Sequence, residues 1–280
     1  MNSIAEVLRK ASEIMERAGV PEARREAGSL LSFVIGKDRT FLISHAEDEL
    51  DVHWVDQFRE LVERRAAGEP LQYITGVQDF FGREFHVTPD VLIPRPETEL
   101  LVETALQVDR AASLICDVGT GSGCIAITLL CELNNACAIG VDKSPAALEI
   151  AKFNAKKLSV IERTEFVVSD CFDSLERREF DLIVSNPPYV SADVLAGLQR
   201  EVRDHEPVVA LSPGPDGLSI IRRLIQEAPA FLKQRGHLIM EIGFDQGEAV
   251  QRLIDSKVWE LIEIRPDLQC IPRIVVLRKR

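Results

Sequence analysis

The sequence predicts an α/β protein in which a mostly parallel sheet of seven strands carries helices on both faces and follows a small all-helical domain. From about residue 96 onward, short apolar or β-branched stretches alternate with longer amphipathic ones, which is typical of parallel strands joined by crossover helices. Before about residue 68, apolar residues instead recur at helical spacing. A length of 280 residues leaves room for two unequal domains of this kind.

The chain divides into three predicted regions. Residues 1–72 form the helical domain, with four or five helices separated by turn signals such as Gly19-Val20-Pro21. Residues 73–95 hold short aromatic and β-branched stretches between glycines and a proline, which predicts a hairpin or an irregular linker. Residues 96–280 form the α/β domain, and Pro96 suits the first position of its first helix.

The strands and helices of the α/β domain follow from the alternation. The predicted strands are 113–118, 138–142, 165–169, 181–185, 237–242, 259–264 and 273–278. Amphipathic helical stretches are predicted at 125–133, 145–158, 218–232 and 246–254. A short turn joins the last two strands, so we expect these two to be antiparallel. This layout is the one expected of a class I, Rossmann-like methyltransferase.

Charge and cysteine usage exclude several classes of function. The formal net charge is −12, and neither domain has the basic excess on which general nucleic-acid binding depends. The six cysteines lack a C-x-x-C spacing and the five histidines lack H-x-x-x-H, so we expect buried, reduced thiols and no metal. No stretch reaches the ~18 apolar residues of a membrane span, and the N-terminus lacks a signal-peptide core. We therefore expect a cytoplasmic protein without membrane contact.

A glycine-rich loop follows the first strand of the sheet. The run Gly119-Thr120-Gly121-Ser122-Gly123 lets the backbone turn tightly and approach a ligand at a helix N-terminus. Its G-x-G-x-G spacing differs from the dinucleotide fingerprint, and no G-K-[ST] of a P-loop is present. Asp142 ends the next strand, where a carboxylate can accept both ribose hydroxyls of a nucleoside. A helix cap is the alternative role for Asp142, and Ser144 competes for it.

Two further groups extend the predicted site. Asp170 follows the third strand, where it could receive an adenine amino group with Cys171 or Phe172 against the ring. The fourth strand ends in Asn186-Pro187-Pro188-Tyr189 at the edge where ligands bind in such folds. Two prolines remove two N–H donors and stiffen the backbone, which leaves nearby carbonyls free to accept hydrogen bonds.

This tetrapeptide suits the methylation of a planar nitrogen. If the Asn186 side-chain oxygen and the Pro187 carbonyl each accept one N–H, the nitrogen is held with its lone pair aimed at an electrophilic methyl group. Tyr189 could stack on the planar group, so Asn186, Pro187 and Tyr189 are the predicted catalytic residues, and Asn186 also borders the cofactor. With the glycine loop, the tetrapeptide indicates methyl transfer from S-adenosylmethionine. A rigid loop without chemistry is the alternative interpretation.

Taken together, these motifs make the chain resemble the release-factor glutamine methyltransferases of the HemK type over nearly its full length. The resemblance rests on the following stretches: Glu69-Pro70-Leu71-Gln72-Tyr73-Ile74-Thr75-Gly76, Val91-Leu92-Ile93-Pro94-Arg95-Pro96-Glu97-Thr98-Glu99, Asp117 to Gly123, Asn186 to Tyr189, Glu206-Pro207, Asp216-Gly217-Leu218 and Glu241-Ile242-Gly243. It implies that the substrate is the side-chain amide of the glutamine in the Gly-Gly-Gln tip of peptide chain release factors. It also implies that Gly119 to Gly123 and Asp142 bind the cofactor, that Asn186 to Tyr189 hold the glutamine, and that the helical domain helps to hold the release factor.

Three positions depart from the family pattern. Cys171 stands where a bulky residue is common, Pro213-Gly214 replaces a double glycine, and Cys270 replaces a glycine before the last strand. The alternatives are a ribosomal-protein glutamine methyltransferase, a nucleic-acid adenine or guanine amino-methyltransferase, and a non-catalytic cofactor-binding adaptor. The negative charge and the 6% aromatic content weigh against the nucleic-acid enzyme. The same charge could complement a basic release-factor tip.

Overall fold

A computed structural model of the chain describes residues 2–176 and 178–280. By its internal contacts the chain forms two compact units. The first unit comprises Met1–Gly76 together with Gln199–His205, and the second comprises Val77–Leu198 together with Glu206–Arg280. Among the described residues, no helix combines the length and the apolar character that a membrane crossing requires.

Five helices form the N-terminal part of the first unit. They are α1 (Ile4–Arg17), α2 (Ala23–Ile35), α3 (Arg39–Ser44), α4 (Val52–Ala66) and α5 (Leu71–Thr75). Side-chain oxygens of Ser3, Asp38 and Asp51 accept backbone N–H groups at the starts of α1, α3 and α4. The apolar residues at helical spacing converge on one core that includes Ile4, Met15, Leu30, Leu31 and Phe58. The prediction of a small all-helical N-terminal domain is therefore confirmed.

The second unit begins with an antiparallel hairpin and continues as a sheet with helices. The hairpin strands are β1 (Val77–Phe80) and β2 (Arg83–His86). The strands of the sheet are β3 (Leu114–Val118), β4 (Cys137–Asp142), β5 (Thr164–Val168), β6 (Phe180–Ser185), β7 (Leu232–Glu241), β8 (Trp259–Pro266) and β9 (Pro272–Lys279). The helices in chain order are α6 (Glu99–Val108), α7 (Cys124–Glu132), α8 (Pro145–Lys157), α9 (Ala192–Leu195), α10 (Arg200–His205), α11 (Val208–Leu211), α12 (Ser219–Glu227) and α13 (Gly247–Leu253).

The sheet has the order β5-β4-β3-β6-β7-β9-β8. All neighbouring strands are parallel except for β9, which is antiparallel to both β7 and β8. The chain builds outward from β3 to β5 and then returns to add β6 on the other side of β3. The switch point therefore lies between β3 and β6, and ligands bind at the carboxyl ends of the strands at such a point.

Alternating residues of the strands enter two separate cores. Ile115, Leu182 and Ile239 belong to the core that α6 and α7 complete. Cys116, Ile183 and Leu238 belong to the core that α12 and α13 complete. Because successive side chains of a strand point to opposite faces, these cores cover the two faces of one sheet. The predicted seven-stranded, mostly parallel fold with an antiparallel last pair is confirmed.

Two expectations need correction. The strand predicted at 237–242 begins earlier, at Leu232, because Phe180 pairs with Leu232 and the register then shifts so that Leu182 pairs with His237. The polar residues between Leu232 and His237 hid this extension. The expectation of buried thiols is wrong for Cys137 and Cys270, which are exposed.

Candidate active site

A cavity of about 360 Å³ opens at the carboxyl ends of β3 and β6. Among the predicted site residues, those that line it are Gly119, Thr120, Gly121, Ser122, Asp142, Asp170, Cys171, Asn186, Pro187 and Pro188. Gly123, Phe172 and Tyr189 are not part of its lining. The two loops that the sequence singled out thus meet at the switch point of the sheet.

The three glycines of the loop serve two different structural purposes. Gly119, Gly121 and Gly123 all have positive φ values, of 74°, 54° and 81°. A Cβ atom on Gly119 or Gly121 would project into open space, whereas one on Gly123 would lie 2.6 Å from Ile127 Cδ1 and 3.2 Å from Ala151 Cβ. The first two glycines therefore leave room beside the loop, and the third permits close packing of α7 on α8.

Asp142 is fixed by the backbone around it. Its Oδ2 accepts the N–H of Gly121 at 2.9 Å, and its Oδ1 accepts the N–H of Ser144 at 2.9 Å. The helix cap of α8 comes from Ser144, whose Oγ accepts the N–H of Ala147. Asp142 is thus free of the capping role, it lines the cavity, and each of its oxygens can accept a further hydrogen bond.

Asp117 lies beneath the loop and is fully buried. Its Oδ2 accepts from Thr120 Oγ1 at 2.7 Å and from the Ala126 N–H at 3.2 Å, while its Oδ1 has no hydrogen-bond partner among the described residues. Burial raises the pKa of Asp117 to about 7, and the nearby Asp142 charge adds to the increase.

This pKa predicts a loss of stability as the pH rises. Between about pH 4 and pH 7 the folded protein retains a proton on Asp117 that the unfolded chain has released, so the free energy of unfolding falls with increasing pH over this range. The fall attributable to this group is on the order of 4 kcal/mol. Urea unfolding at pH 5 and pH 8 should show that Asp117→Asn gains stability relative to the unsubstituted protein at the higher pH. An equal difference at both pH values would contradict the assignment.

The residues after β5 are split between the cavity and the core. Asp170 lines the cavity, but its Oδ1 pairs with Arg223 Nη1 at 2.8 Å. Cys171 also lines the cavity and has a φ of 50°. Phe172 is buried and stacks on Phe231, with ring centroids 4.8 Å apart. The structure therefore does not bring Phe172 to the position that the sequence suggested beside a bound base.

Asn186 lines the cavity with only one end of its amide engaged. Its Nδ2 donates to Thr98 Oγ1 at 3.0 Å. Among residues 2–176 and 178–280, no group donates to Asn186 Oδ1 or to the carbonyl oxygen of Pro187. Just before them, Ser185 Oγ donates to the Val118 carbonyl at 2.6 Å and joins the ends of β6 and β3. Two acceptors without donors therefore belong to consecutive residues of the cavity lining.

Thr98, which also lines the cavity, and Glu241 form a buried network around the Asn186 amide, and the sequence alone indicated no role for either residue. Thr98 Oγ1 donates to Glu241 Oε2 at 2.7 Å, and the Tyr189 hydroxyl donates to Glu241 Oε1 at 3.1 Å. Burial raises the pKa of Glu241, and its two hydroxyl donors act in the opposite direction. Burial beside this carboxylate also raises the pKa of Tyr189. Tyr189 thus supports Asn186 from behind rather than facing the cavity.

The loop after Asn186 is held by Gln246. Its Nε2 donates to the carbonyls of Tyr189 and Gly217, both at 3.1 Å, and its Oε1 accepts the Gly243 N–H at 2.9 Å. Gly217 has a φ of 66°, and a Cβ there would lie 2.5 Å from the Tyr189 carbonyl oxygen. Gln246 thus joins the stretches around Gly217 and Gly243 to the loop that follows Asn186.

Arg95 completes the wall on the side of the Pro94-Arg95-Pro96 stretch. It lines the cavity, and its Nη2 pairs with Glu206 Oε1 at 2.5 Å. Glu206 is buried, and its Oε2 lies 3.4 Å from the Ile93 N–H. Two motif stretches far apart in the sequence therefore meet through one ion pair.

The chain matches two protein-family models and is similar to methyltransferases of known name. A family model described as the PrmC N-terminal domain matches residues 6–76, and the methyltransferase small domain matches residues 96–201. The chain is 44% identical over 274 residues to the release factor glutamine methyltransferase of Cereibacter sphaeroides, with 98% of each chain covered. It is 37% identical to the bifunctional methyltransferase of Rickettsia felis; the match covers 98% of this chain but only 58% of that relative.

Solved structures agree on the fold. The hMettl16 catalytic domain in complex with MAT2A 3′UTR hairpin 6 matches with a TM-score of 0.57 at 16% identity, covering 79% of this chain and 81% of that one. An identity of 16% supports a shared fold and nothing more. The 44% identity over almost the whole of both chains shows that the two proteins belong to one family. The chain belongs to the release factor glutamine methyltransferase family.

Proposed function

We propose that this chain transfers a methyl group from S-adenosylmethionine to the side-chain amide nitrogen of the glutamine in the Gly-Gly-Gln motif of peptide chain release factors. The observation that carries the proposal is the pair of unused acceptors, Asn186 Oδ1 and the Pro187 carbonyl, at the cavity. A primary amide offers two N–H donors in one plane, and these two acceptors complement them. The name of the Cereibacter sphaeroides relative gives the same substrate class.

The residues of the cavity fit the cofactor. Its volume of about 360 Å³ lies in the range of small-molecule sites. Gly119 and Gly121 leave open space where any side chain would intrude, and Asp142 offers acceptor oxygens of the kind that ribose hydroxyls require. We infer that Gly119 to Ser122 and Asp142 hold the nucleoside, with Asp170 and Cys171 at its base. When bound, S-adenosylmethionine supplies an electrophilic methyl group on a positively charged sulfur.

The chain's own contribution is orientation. An amide nitrogen is a poor nucleophile because its lone pair is delocalised, so the direction and distance of its approach matter strongly. Acceptors on both N–H groups fix the plane of the amide, and they increase electron density on the nitrogen. The prolines after Asn186 keep this stretch of backbone stiff, and Gln246 holds the loop that follows.

The direct test uses purified release factor and S-adenosylmethionine, followed by peptide mass spectrometry. We expect one added methyl group on the peptide that carries Gly-Gly-Gln, and none when its glutamine is replaced by glutamate. Absence of methylation on every release factor tested would refute the proposal. Methyl groups recovered in a ribosomal protein or in RNA would support the corresponding alternative.

We further propose that the helical unit contributes to release-factor binding. Ile43 and Val52 lie on its surface with 71% and 63% of their area exposed, so a bound protein could bury both side chains. The double substitution Ile43→Ser and Val52→Ser should raise the KM for the release factor about tenfold or more and leave kcat unchanged. Steady-state kinetics with varied release factor measures this. An unchanged KM would remove these residues from the interface.

A further inference from the structure

The direction of every hydrogen bond behind Asn186 follows from one carboxylate. Each oxygen of Glu241 accepts from one hydroxyl, Oε2 from Thr98 and Oε1 from Tyr189, so in this arrangement the Glu241 side chain donates to neither residue. The Thr98 proton therefore points at Glu241, and the Thr98 oxygen is left as an acceptor. That acceptor requires the NH₂ group of Asn186, at 3.0 Å, and so places Oδ1 at the far end of the amide.

The sheet enforces this arrangement. Ser185, the last residue of β6, pairs with Met240 of β7 in parallel register, so each chain continues by one residue from this pair, to Asn186 and to Glu241. Thr98 is 2% exposed and Glu241 is 1% exposed, which leaves little access for water to replace either partner. Each member of the network thus depends on the others for its hydrogen bonds.

We propose that Thr98 and Glu241 are positioning residues for methyl transfer, because they hold the Asn186 amide with its oxygen toward the acceptor nitrogen. This inference rests on the proposed function, in which Asn186 Oδ1 accepts an N–H of the substrate. An Asn186 amide turned by half a rotation would present NH₂ to NH₂, and the substrate bond would be lost. Loss of a hydrogen bond of this kind lowers a rate by about 10- to 100-fold.

The kinetic arm compares isosteric substitutions. Thr98→Val removes the hydroxyl at nearly constant volume, and we expect kcat to fall about 10- to 100-fold with cofactor affinity changed less than about threefold. Thr98→Ser keeps the hydroxyl and should restore kcat to within about threefold of the unsubstituted protein. Glu241→Gln offers Thr98 both a donor and an acceptor, so the Thr98 hydroxyl can either donate or accept at this position. We therefore expect kcat to fall by less than in Thr98→Val.

A matched control lies in the same unit. Thr128 of α7 is also fully buried, but its hydroxyl has no hydrogen-bond partner among the described residues. Thr128→Val should therefore leave kcat unchanged and maintain or raise the melting temperature. A general effect of replacing buried threonine would lower kcat in both valine variants.

The spectroscopic arm reads the amide itself and needs no methyl acceptor. The chain has only five asparagines, so selective ¹⁵N labelling of their side chains gives five NH₂ pairs in a proton–nitrogen correlation spectrum. The pair that disappears in Asn186→Ala belongs to Asn186. We expect Thr98→Val to shift this pair and to speed its hydrogen exchange, and Thr98→Ser to leave it nearly in place.

These results separate the inference from the proposed function. An unchanged Asn186 resonance in Thr98→Val would overturn the inference whatever the kinetics. Unchanged kcat in Thr98→Val, or a loss that Thr98→Ser does not restore, would also overturn it. If the unsubstituted protein methylates no release factor but the resonance shifts as expected, the proposed substrate fails and the positioning of Asn186 stands.

Discussion

Asn186→Ala should lower kcat for release-factor methylation by about 10²–10³-fold while the Kd for S-adenosylmethionine changes less than about threefold. The reason is that Asn186 Oδ1 has no hydrogen-bond donor among the described residues, so we expect its missing partner to be the substrate amide. Single-turnover kinetics with saturating release factor and calorimetric titration of the cofactor measure the two quantities separately.

The control for this experiment is Asn135→Ala. Asn135 is exposed in the turn between α7 and β4, at the opposite end of the sheet from the cavity. It should retain full activity and cofactor affinity. A parallel loss of turnover and cofactor affinity in Asn186→Ala would place Asn186 against the cofactor rather than against the glutamine.

Asp142→Asn should weaken S-adenosylmethionine binding by about 100-fold. Both carboxylate oxygens already accept a backbone N–H, from Gly121 and from Ser144. An amide has only one oxygen, so its NH₂ group would face either the Gly121 N–H or the Ser144 N–H, and that backbone hydrogen bond would be lost. The NH₂ group would also be unable to accept a hydrogen bond from a ribose hydroxyl. Equilibrium binding of the cofactor, measured without any release factor, isolates this effect.

Asp173→Asn provides the matched control, since Asp173 is an exposed carboxylate near the cavity that pairs with Arg223 and is not part of the lining. Its cofactor affinity should be unchanged. If Asp142→Asn lowered the melting temperature but left the affinity intact, Asp142 would serve only to shape the glycine loop.

Much of the fold could be predicted because short apolar stretches alternate regularly with longer amphipathic ones along the chain. Strands such as β3 and β6 are buried on both faces and lie between amphipathic helices, so their apolar runs identify them directly. The start of β7 could not be predicted in the same way. Residues 233–236 are polar or glycine, and Arg235 has a φ of 65°, so the strand continues through a stretch without a strand pattern.

The site residues that could be predicted are those at the ends of strands, where the sequence shows both the residue type and its place in the fold. Gly119 and Asn186 directly follow a strand and Asp142 is the last residue of one, so the topology alone brings them to one edge of the sheet. Thr98 and Glu241 are 143 residues apart, and nothing in their own surroundings indicates that their side chains meet. The motif stretches that contain them gave the only signal, without a role for either residue. Phe172 shows the reverse error, because its place after β5 did not reveal that its ring turns inward to Phe231.

The glycine replaced by Cys270 in this chain has a local explanation. Cys270 has a φ of 62°, in the region that favours glycine, and it lies in the turn between β8 and β9. The turn thus keeps the backbone conformation of a glycine despite the cysteine side chain. Cys270 is not part of the cavity lining, so this strained position lies outside the candidate site.

Residues 199–205 belong to the helical unit although they follow the Asn186 loop in the sequence. Arg65 is 1% exposed there and pairs with Glu26 and with Glu201, each at 2.5 Å. The helical unit is therefore not a removable module: cutting the chain after Gly76 would separate Arg65 from one of its two carboxylates and leave α10 without its partners. Exchange of this unit between relatives, in evolution or in a chimera, would have to carry both segments together.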